Sequence, residues 1–343
     1  MTMSPATAAE RVRSPMSATD TAALIDLLMS GGIAVDAGAA LLTSWAERGE
    51  TGDELAAVVR ALLARAATLP MDGACLDLCG TGGSGLARFN VSTTAAFVLA
   101  AAGVPVAKHG NRGSRRPDGS FDLLDALGIP FALTGEQHAR LRRETGVCFL
   151  FARAMHPAVA AVAPMRKAAG RRTIFNLAGP LANPCRPRRQ LIGVIDERTA
   201  RVVAAALAAL GCERACVVWG APGIDEFSIT GPSRFLLLEG GAVREGAVAA
   251  LHPALTHADL PSGEAPRNAA LLERLLAGEE RGPLVDLVAL NAGAAIDLWH
   301  GRAISGRGEG YERAIEVLGN GAAQRAFAAH RRIAQEMAKA AAS

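Results

Sequence analysis

The chain has 343 residues, half of them hydrophobic and only 4% aromatic, a composition that suits a helix-rich globular protein and excludes a disordered one. Its 36 Lys and Arg against 33 Asp and Glu leave a formal charge of +3, so any pull on an anionic partner must come from local clustering. The length predicts two packed lobes sharing a cleft rather than one core.

Residues 1–20, MTMSPATAAERVRSPMSATD, are polar and lack an apolar core segment. They read as a flexible tail over 1–19 rather than a signal peptide, which predicts a cytoplasmic protein. Three amphipathic segments follow, TAALIDLLMS, VDAGAALLTSWAE and DELAAVVRALLARAATL. Leu24, Leu27 and Leu28, then Leu41, Leu42 and Trp45, recur at helical spacing, which predicts a small all-helical lobe over 20–70.

From residue 74 the pattern changes to strand-like CLDLC, helix-like STTAAFVLAAAG and strand-like VPVAKHG, a β-α-β unit with a parallel crossover. The alternation returns in RQLIGVID, ERTARVVAAALAALG and ACVVWG. These segments predict an α/β lobe over 74–163 and 188–343, with a largely parallel sheet flanked by helices and a hinged cleft facing the helical lobe. Residues 164–187 carry four prolines and no strand period, and read as a return passage between lobes. The longest uncharged run, 91–107, is interrupted by Gly103 and Pro105 and falls short of the ~20 residues that span a bilayer. No membrane segment is expected. The six cysteines form no paired C-x-x-C units, so reduced thiols are expected rather than a zinc site.

Residues 108–189 hold fifteen basic against five acidic side chains. Such a segment could attract a phosphate-rich substrate or nucleic acid, or could simply be solvated faces. Just before it, GTGGSG at 80–85 matches G-x-G-x-x-G. A dinucleotide fold would start its helix at the third glycine and place an acid about 20 residues on; here LARFNV intervenes, and the later region holds Lys108 and His109. A P-loop fails as well, because no Lys followed by Ser or Thr comes after the glycines. The turn can be purely structural, or its backbone N–H groups and the helix beginning at Ser92 and Thr93 can hold an anion, for which a pyrophosphate fits.

In a parallel sheet the loop KHGNRGSRRPDGSFD lies beside that turn. Lys108 supplies a mobile point charge there and Asn111 both donates and accepts, whereas His109 can equally be an ordinary loop histidine. Asp225 and Glu226, in a Gly and Pro loop after a strand, are either solvated charges or hard oxygen ligands for Mg²⁺ beside a phosphate.

The succession GTGGSG…FNVST, VAKHGNR, FLFARAMHPAVAAVAPMRKAAGRRTIFNLAGPLANP, LIGV and GIDEFSITGP resembles the anthranilate phosphoribosyltransferase family in order and spacing. The resemblance implies transfer of phosphoribose from phosphoribosyl pyrophosphate to the amine of anthranilate, with Mg²⁺ and a homodimer formed through the helical lobe. By position it implies donor contacts from Gly80, Gly83, Ser84, Arg88, Asn90, Val91, Ser92, Thr93, Lys108, Asn111, Arg115, Arg116 and Ser120. Metal would fall to Ser92, Asp225 and Glu226. Gly80, His109, Asn111, His156 and Arg166 would serve the acceptor, with Arg166 pairing its carboxylate.

Three positions depart from the family pattern. Its GTGGD ends here in Ser84, a threonine shortly after is Arg88, and the serine-rich NRSVSS is NRGSRR, placing Arg115 and Arg116 where small hydroxyls meet phosphate. Guanidinium forks at these positions can bind phosphate bidentately. The rival readings are a paralogue or nucleoside phosphorylase with another aromatic acceptor, and a non-catalytic nucleic-acid-binding relative. The second lacks stacking platforms, since Phe121 and Phe131 are the only aromatics between Lys108 and Phe149.

Overall fold

The computed structural model describes residues 3–67, 69–86, 88–113 and 116–342. Four helices open the chain: α1 (Pro5–Arg11), α2 (Ala18–Met29), α3 (Val35–Arg48) and α4 (Gly52–Leu63). Ser17 caps α2 by accepting the Asp20 N–H, and a reciprocal Thr51–Glu54 capping box starts α4. Glu54 does more than cap. Fully buried, its carboxylate also accepts the Met16 N–H at 2.9 Å and the Trp45 indole N–H at 3.2 Å, and pairs with Arg48.

That hub corrects the flexible tail expected over 1–19. Ser4 caps α1, Pro5 opens it, and Ala8 of α1 with Val12 and Met16 of the connection that follows are buried against the next helices.

The rest of the chain builds one seven-stranded sheet, with strands β1 (Leu76–Gly80), β2 (Val106–Gly110), β3 (Val147–Phe151), β4 (Arg189–Gly193), β5 (Arg214–Gly220), β6 (Ser233–Glu239) and β7 (Ala242–Val248) in the order β3-β2-β1-β4-β5-β6-β7. Strands β1 to β5 pair in parallel; β6 and β7 add antiparallel. The mostly parallel sheet is as the sequence suggests, while the β6–β7 ribbon has no counterpart in the sequence reading. Between and after the strands come α5 (Val91–Ala101), α6 (Ser120–Ala126), α7 (Gly135–Thr145), α8 (Ala152–Met155), α9 (Ala163–Ala169), α10 (Ile174–Leu181), α11 (Glu197–Ala209), α12 (Ala265–Leu276), α13 (Pro283–His300), α14 (Glu309–Gly319) and α15 (Ala322–Ala342). Among the described residues no helix is long and apolar enough to cross a membrane.

Strand alternation divides the core in two. Leu191, Cys216 and Val218 join α5 and α13 on one face, whereas Ile192, Ala215 and Val217 join α4, α10 and α11 on the other. The core of the opening helices is therefore continuous with one face of the sheet. Residues 164–187 supply α9 and α10, which pack on α3 and α4.

Strand β1 pairs with β2 on one side and β4 on the other, so the chain reverses direction across the sheet at β1, and ligands of open α/β sheets bind at the carboxyl ends beside such a reversal. Strands β1, β2, β4 and β5 all end in glycine there: Gly80, Gly110, Gly193 and Gly220. A Cβ on Gly193 would overlap the main chain of Asp225, and one on Gly80 would overlap the Asp225 carboxylate. These glycines are required by close approach, and the loop after β5 lies flat across the sheet edge because of them.

Gly193→Ala is expected to lower unfolding free energy by about 1–3 kcal/mol through overpacking. Gly179→Ala, inside α10 with nothing near its added methyl, should be neutral or stabilising by up to ~1 kcal/mol. Urea unfolding of the two variants checks the contrast.

Candidate active site

The chain leaves β1 at Gly80 and turns through Gly82, Gly83 and Gly85, whose φ values of 67°, 98° and 73° belong to the left-handed region that glycine adopts without strain. It then enters α5, whose N-cap position Asn90 makes no side-chain cap. Its amide is engaged elsewhere, donating to Asp118 O at 2.8 Å while its oxygen accepts from Asn268 at 2.9 Å. Val91 and Thr93 are buried, Ser92 is half-buried, and the Thr93 hydroxyl has no hydrogen-bond partner. An uncapped helix start beside an orphaned buried hydroxyl is a ready anion site. Ser84 Oγ accepts the Leu86 N–H at 3.3 Å, an interaction internal to the turn.

The acidic pair is anchored on this turn. Asp225 is buried, and its Oδ2 accepts the Gly82 N–H at 2.7 Å. Its Oδ1 pairs with the guanidinium of Arg88. Glu226 is half-buried and makes no side-chain hydrogen bond among the described residues; burial pushes its carboxyl up to about 7, against the pull of Arg88. Among the described residues no cluster of three or more His, Cys, Asp or Glu could hold a metal by itself. Two carboxylates beside a phosphate site do fit Mg²⁺, which keeps waters and takes substrate phosphates to complete its shell.

The end of β2 lies alongside, and here the expectation of a mobile lysine is corrected. Lys108 is 2% exposed and donates to Leu78 O at 2.7 Å. Its side chain turns under β1, and the next residue, His109, is tied by its own N–H to Asp77 at 3.1 Å. Asp77 is fully buried, accepts Asn183 Nδ2 at 2.8 Å, and feels Lys108 as its opposing charge. Burial nevertheless pushes the Asp77 carboxyl up to about 6. Lys108 is thus part of a buried network below the site.

The following loop folds around a residue the sequence reading passed over. Asp122 at the start of α6 accepts the N–H groups of Gly113 and Gly119 at 2.7 and 3.0 Å and pairs with Arg112. Asn111 is exposed, Ser120 Oγ donates to Asn111 O at 3.1 Å, and Arg116 is exposed. Arg115 lies outside the described residues.

On the acceptor side, His109 and His156 meet with ring centroids 5.3 Å apart, and both are buried. His109 Nδ1 donates to Gly179 O at 3.0 Å, its Nε2 has no partner, and burial and His156 push its pKa down to about 3, so the ring is neutral. His156 bonds Ala182 O through Nε2 at 2.6 Å. Arg166 on α9 stacks on the Phe175 ring at 5.7 Å and pairs with no carboxylate among the described residues.

Arg172 was missed. It reaches from the segment before α10 to donate to Gly82 O at 2.5 Å, a Cβ on Gly83 would overlap it, and its Nη2 is buried without a partner. The twin arginines ahead of the TIFN helix start were the available signal. The glycine turn is therefore held from both sides, by Arg172 at the Gly82 carbonyl and by Asp225 at the Gly82 N–H. A cavity of about 320 Å³ between α5 and α7, lined by Arg142 and Arg143, sits at the opposite edge of the sheet and touches none of these residues.

The glycine turn lies against a carboxylate at the sheet reversal, an arrangement suited to a phosphorylated ligand, and residues 72–324 match the family model described as glycosyl transferase family, a/b domain. The chain belongs to the anthranilate phosphoribosyltransferase family. It is 43% identical over 327 residues to the anthranilate phosphoribosyltransferase of Rubrobacter xylanophilus, covering 94% of this chain and 95% of that one. It is 40% identical over 300 residues to that of Chloroflexus aggregans, covering 86% and 88%. The crystal structure of the Thermus thermophilus enzyme superposes with a TM-score of 0.86 at 36% identity, over 96% of this chain and 99% of that one. A Saccharomyces cerevisiae structure, in complex with PRPP and Mg, shares the fold at a TM-score of 0.85 and 24% identity, over 97% and 98%.

The raised Asp77 pKa makes stability depend on pH. The protonated form is favoured by folding, so its contribution is complete below the unfolded value of 3.8 and is lost as pH rises through about 6. Between pH 5 and 7.5 the wild-type chain should lose about 1–1.5 kcal/mol relative to Asp77→Asn, read from urea midpoints of both proteins. A constant gap would remove Asp77 as the cause.

Proposed function

We propose that this chain transfers phosphoribose from phosphoribosyl pyrophosphate to the amine of anthranilate, the reaction its family is named for, in tryptophan biosynthesis. The observation that carries the reading is the hydrogen bond from Gly82 N–H to Asp225, which puts a cation-type carboxylate directly on a phosphate-type turn. The turn from Gly80 to Ser84, the start of α5 from Asn90 to Thr93, and the loop carrying Asn111, Arg115, Arg116 and Ser120 hold the donor. Mg²⁺ bound by Asp225, Glu226 and Ser92 would neutralise charge on the leaving pyrophosphate.

The acceptor needs no covalent attachment to the protein. Its amine nitrogen forms the bond to the anomeric carbon as the bond to pyrophosphate breaks, so the protein's work is orientation and charge placement. Arg166 holds the acceptor carboxylate, and stacking on Phe175 sets the plane of that guanidinium. Neutral His109, with His156 against it, presents an apolar body that accepts an aromatic ring without adding charge. The helices of 20–70 and 164–187, packed beside the α/β elements, would shield the acceptor side from water and so favour transfer over hydrolysis. Pairing of two chains through the helical elements follows from the family resemblance.

Asp225→Asn combined with Glu226→Gln should remove most turnover while leaving the fold intact, because neutral amides are poor ligands for a hard cation. Pyrophosphate release with anthranilate as acceptor reads the outcome, and unchanged Mg²⁺ dependence would refute the role. Arg166→Ala should raise the Michaelis constant for anthranilate roughly 10- to 150-fold, the equivalent of a lost charge-assisted hydrogen bond, with the donor constant little changed. Equal losses for both substrates would make Arg166 structural.

A further inference from the structure

Arg88 occupies the stretch between the glycine turn and α5, where the family pattern carries a threonine. A small hydroxyl has been replaced by a permanent cation on a long stem. That cation is directed inward: its guanidinium pairs with Asp225 Oδ1, while the Arg88 carbonyl accepts from the buried Asn268 at 3.0 Å and fixes the root of the side chain. The other oxygen of Asp225 accepts the Gly82 N–H at 2.7 Å. Both carboxylate oxygens are therefore engaged within the chain. The Asp225 side chain is 3% exposed and Arg88 23%, so of the two partners it is Arg88 that has solvent on one side and room to move.

A guanidinium on a buried carboxylate satisfies the same charge that a divalent ion would, and a second positive charge cannot be added to Asp225 without repelling the first. The nearby cations do not relieve this competition. Arg172 is bonded to the Gly82 carbonyl, and Lys108 is buried on Leu78 O. A pyrophosphate entering between the turn and α5 changes the balance, because it offers Arg88 an anion of matching bidentate geometry and supplies the cation with further oxygens.

We propose that Arg88 is an internal competitor for the divalent cation: in the donor-free chain it neutralises Asp225, and it releases that carboxylate when pyrophosphate gives the guanidinium another partner. Metal then enters with the pyrophosphate-bearing substrate and not ahead of it. The exchange is one of ionic contacts, with no covalent step. It rests on the reading of Asp225 and Glu226 as cation ligands.

The test uses the full chain, with Mn²⁺ alone and inorganic pyrophosphate alone as probes. Free Mn²⁺ is followed by its electron paramagnetic resonance signal, and metal-free pyrophosphate binding by calorimetry, in the wild-type protein, Arg88→Thr, and Arg88→Thr with Asp225→Asn. Arg88→Thr should bind Mn²⁺ at least tenfold more tightly than wild type and pyrophosphate at least threefold more weakly, and adding Asp225→Asn should abolish the gain in Mn²⁺ affinity. Equal Mn²⁺ affinity in wild type and Arg88→Thr, with binding still lost on adding Asp225→Asn, would overturn the competition and leave the acidic pair as the cation site. Unchanged pyrophosphate affinity would overturn the exchange of partners. If adding Asp225→Asn leaves the Mn²⁺ affinity of Arg88→Thr unchanged, the assignment of the acidic pair falls together with the competition.

Discussion

The site depends on two missing methyl groups. Without side chains at Gly80 and Gly193, the loop after β5 can lie against the ends of β1 and β4, and its Asp225 reaches the glycine turn. Everything else at the sheet edge is arranged around that contact: Gly82 is held at its N–H by Asp225 and at its carbonyl by Arg172, and Arg88 closes on the same carboxylate. A turn of left-handed glycines would be mobile in isolation. Here the entropy of ordering it is offset by charge-assisted contacts from two distant segments of the chain, carrying Asp225 and Arg172.

Beneath the turn, a second buried carboxylate sets the spacing of the strands. Asp77 links β1 to the His109 backbone of β2 and to Asn183, which also donates to Ala107 O at 2.7 Å. Lys108 lies on the adjacent carbonyl and supplies the opposing charge. Ion pairs in this setting are seldom a source of net stability, since desolvation cancels much of the attraction, but they specify which groups meet. The network fixes the end of β2, and with it the position of His109 against His156.

These two layers divide the labour. The buried network holds β1, β2 and the segment after α10 in register, while in the upper layer Arg88 pairs with Asp225 and Arg172 donates to the Gly82 carbonyl. Arg166, on α9, stacks on Phe175 and has no carboxylate partner among the described residues.

Much of this was legible in the sequence, for a local reason. Helical spacing in α2, α3 and α4, the strand–turn–helix sequence around GTGGSG, and the parallel alternation around β4 and β5 each depend on residues close together in the chain, and motif order sufficed to indicate the family. Which turn residues take left-handed angles was likewise implied by their being glycine. What the sequence could not convey was which distant partner each polar side chain would choose. Arg88 looked like a donor contact and is found on Asp225; Lys108 looked like a mobile charge and is buried; Arg172, to which the sequence assigned no role, clamps the turn. The first residues looked like a loose tail and dock through Ala8, Val12 and Met16, because Glu54 gathers the α1–α2 connection, α3 and α4 around one carboxylate. Residue types and their local order determined the elements and the chemistry available; the tertiary structure decided the pairing, because charges separated by more than a hundred residues interact only after the sheet has brought their strands side by side.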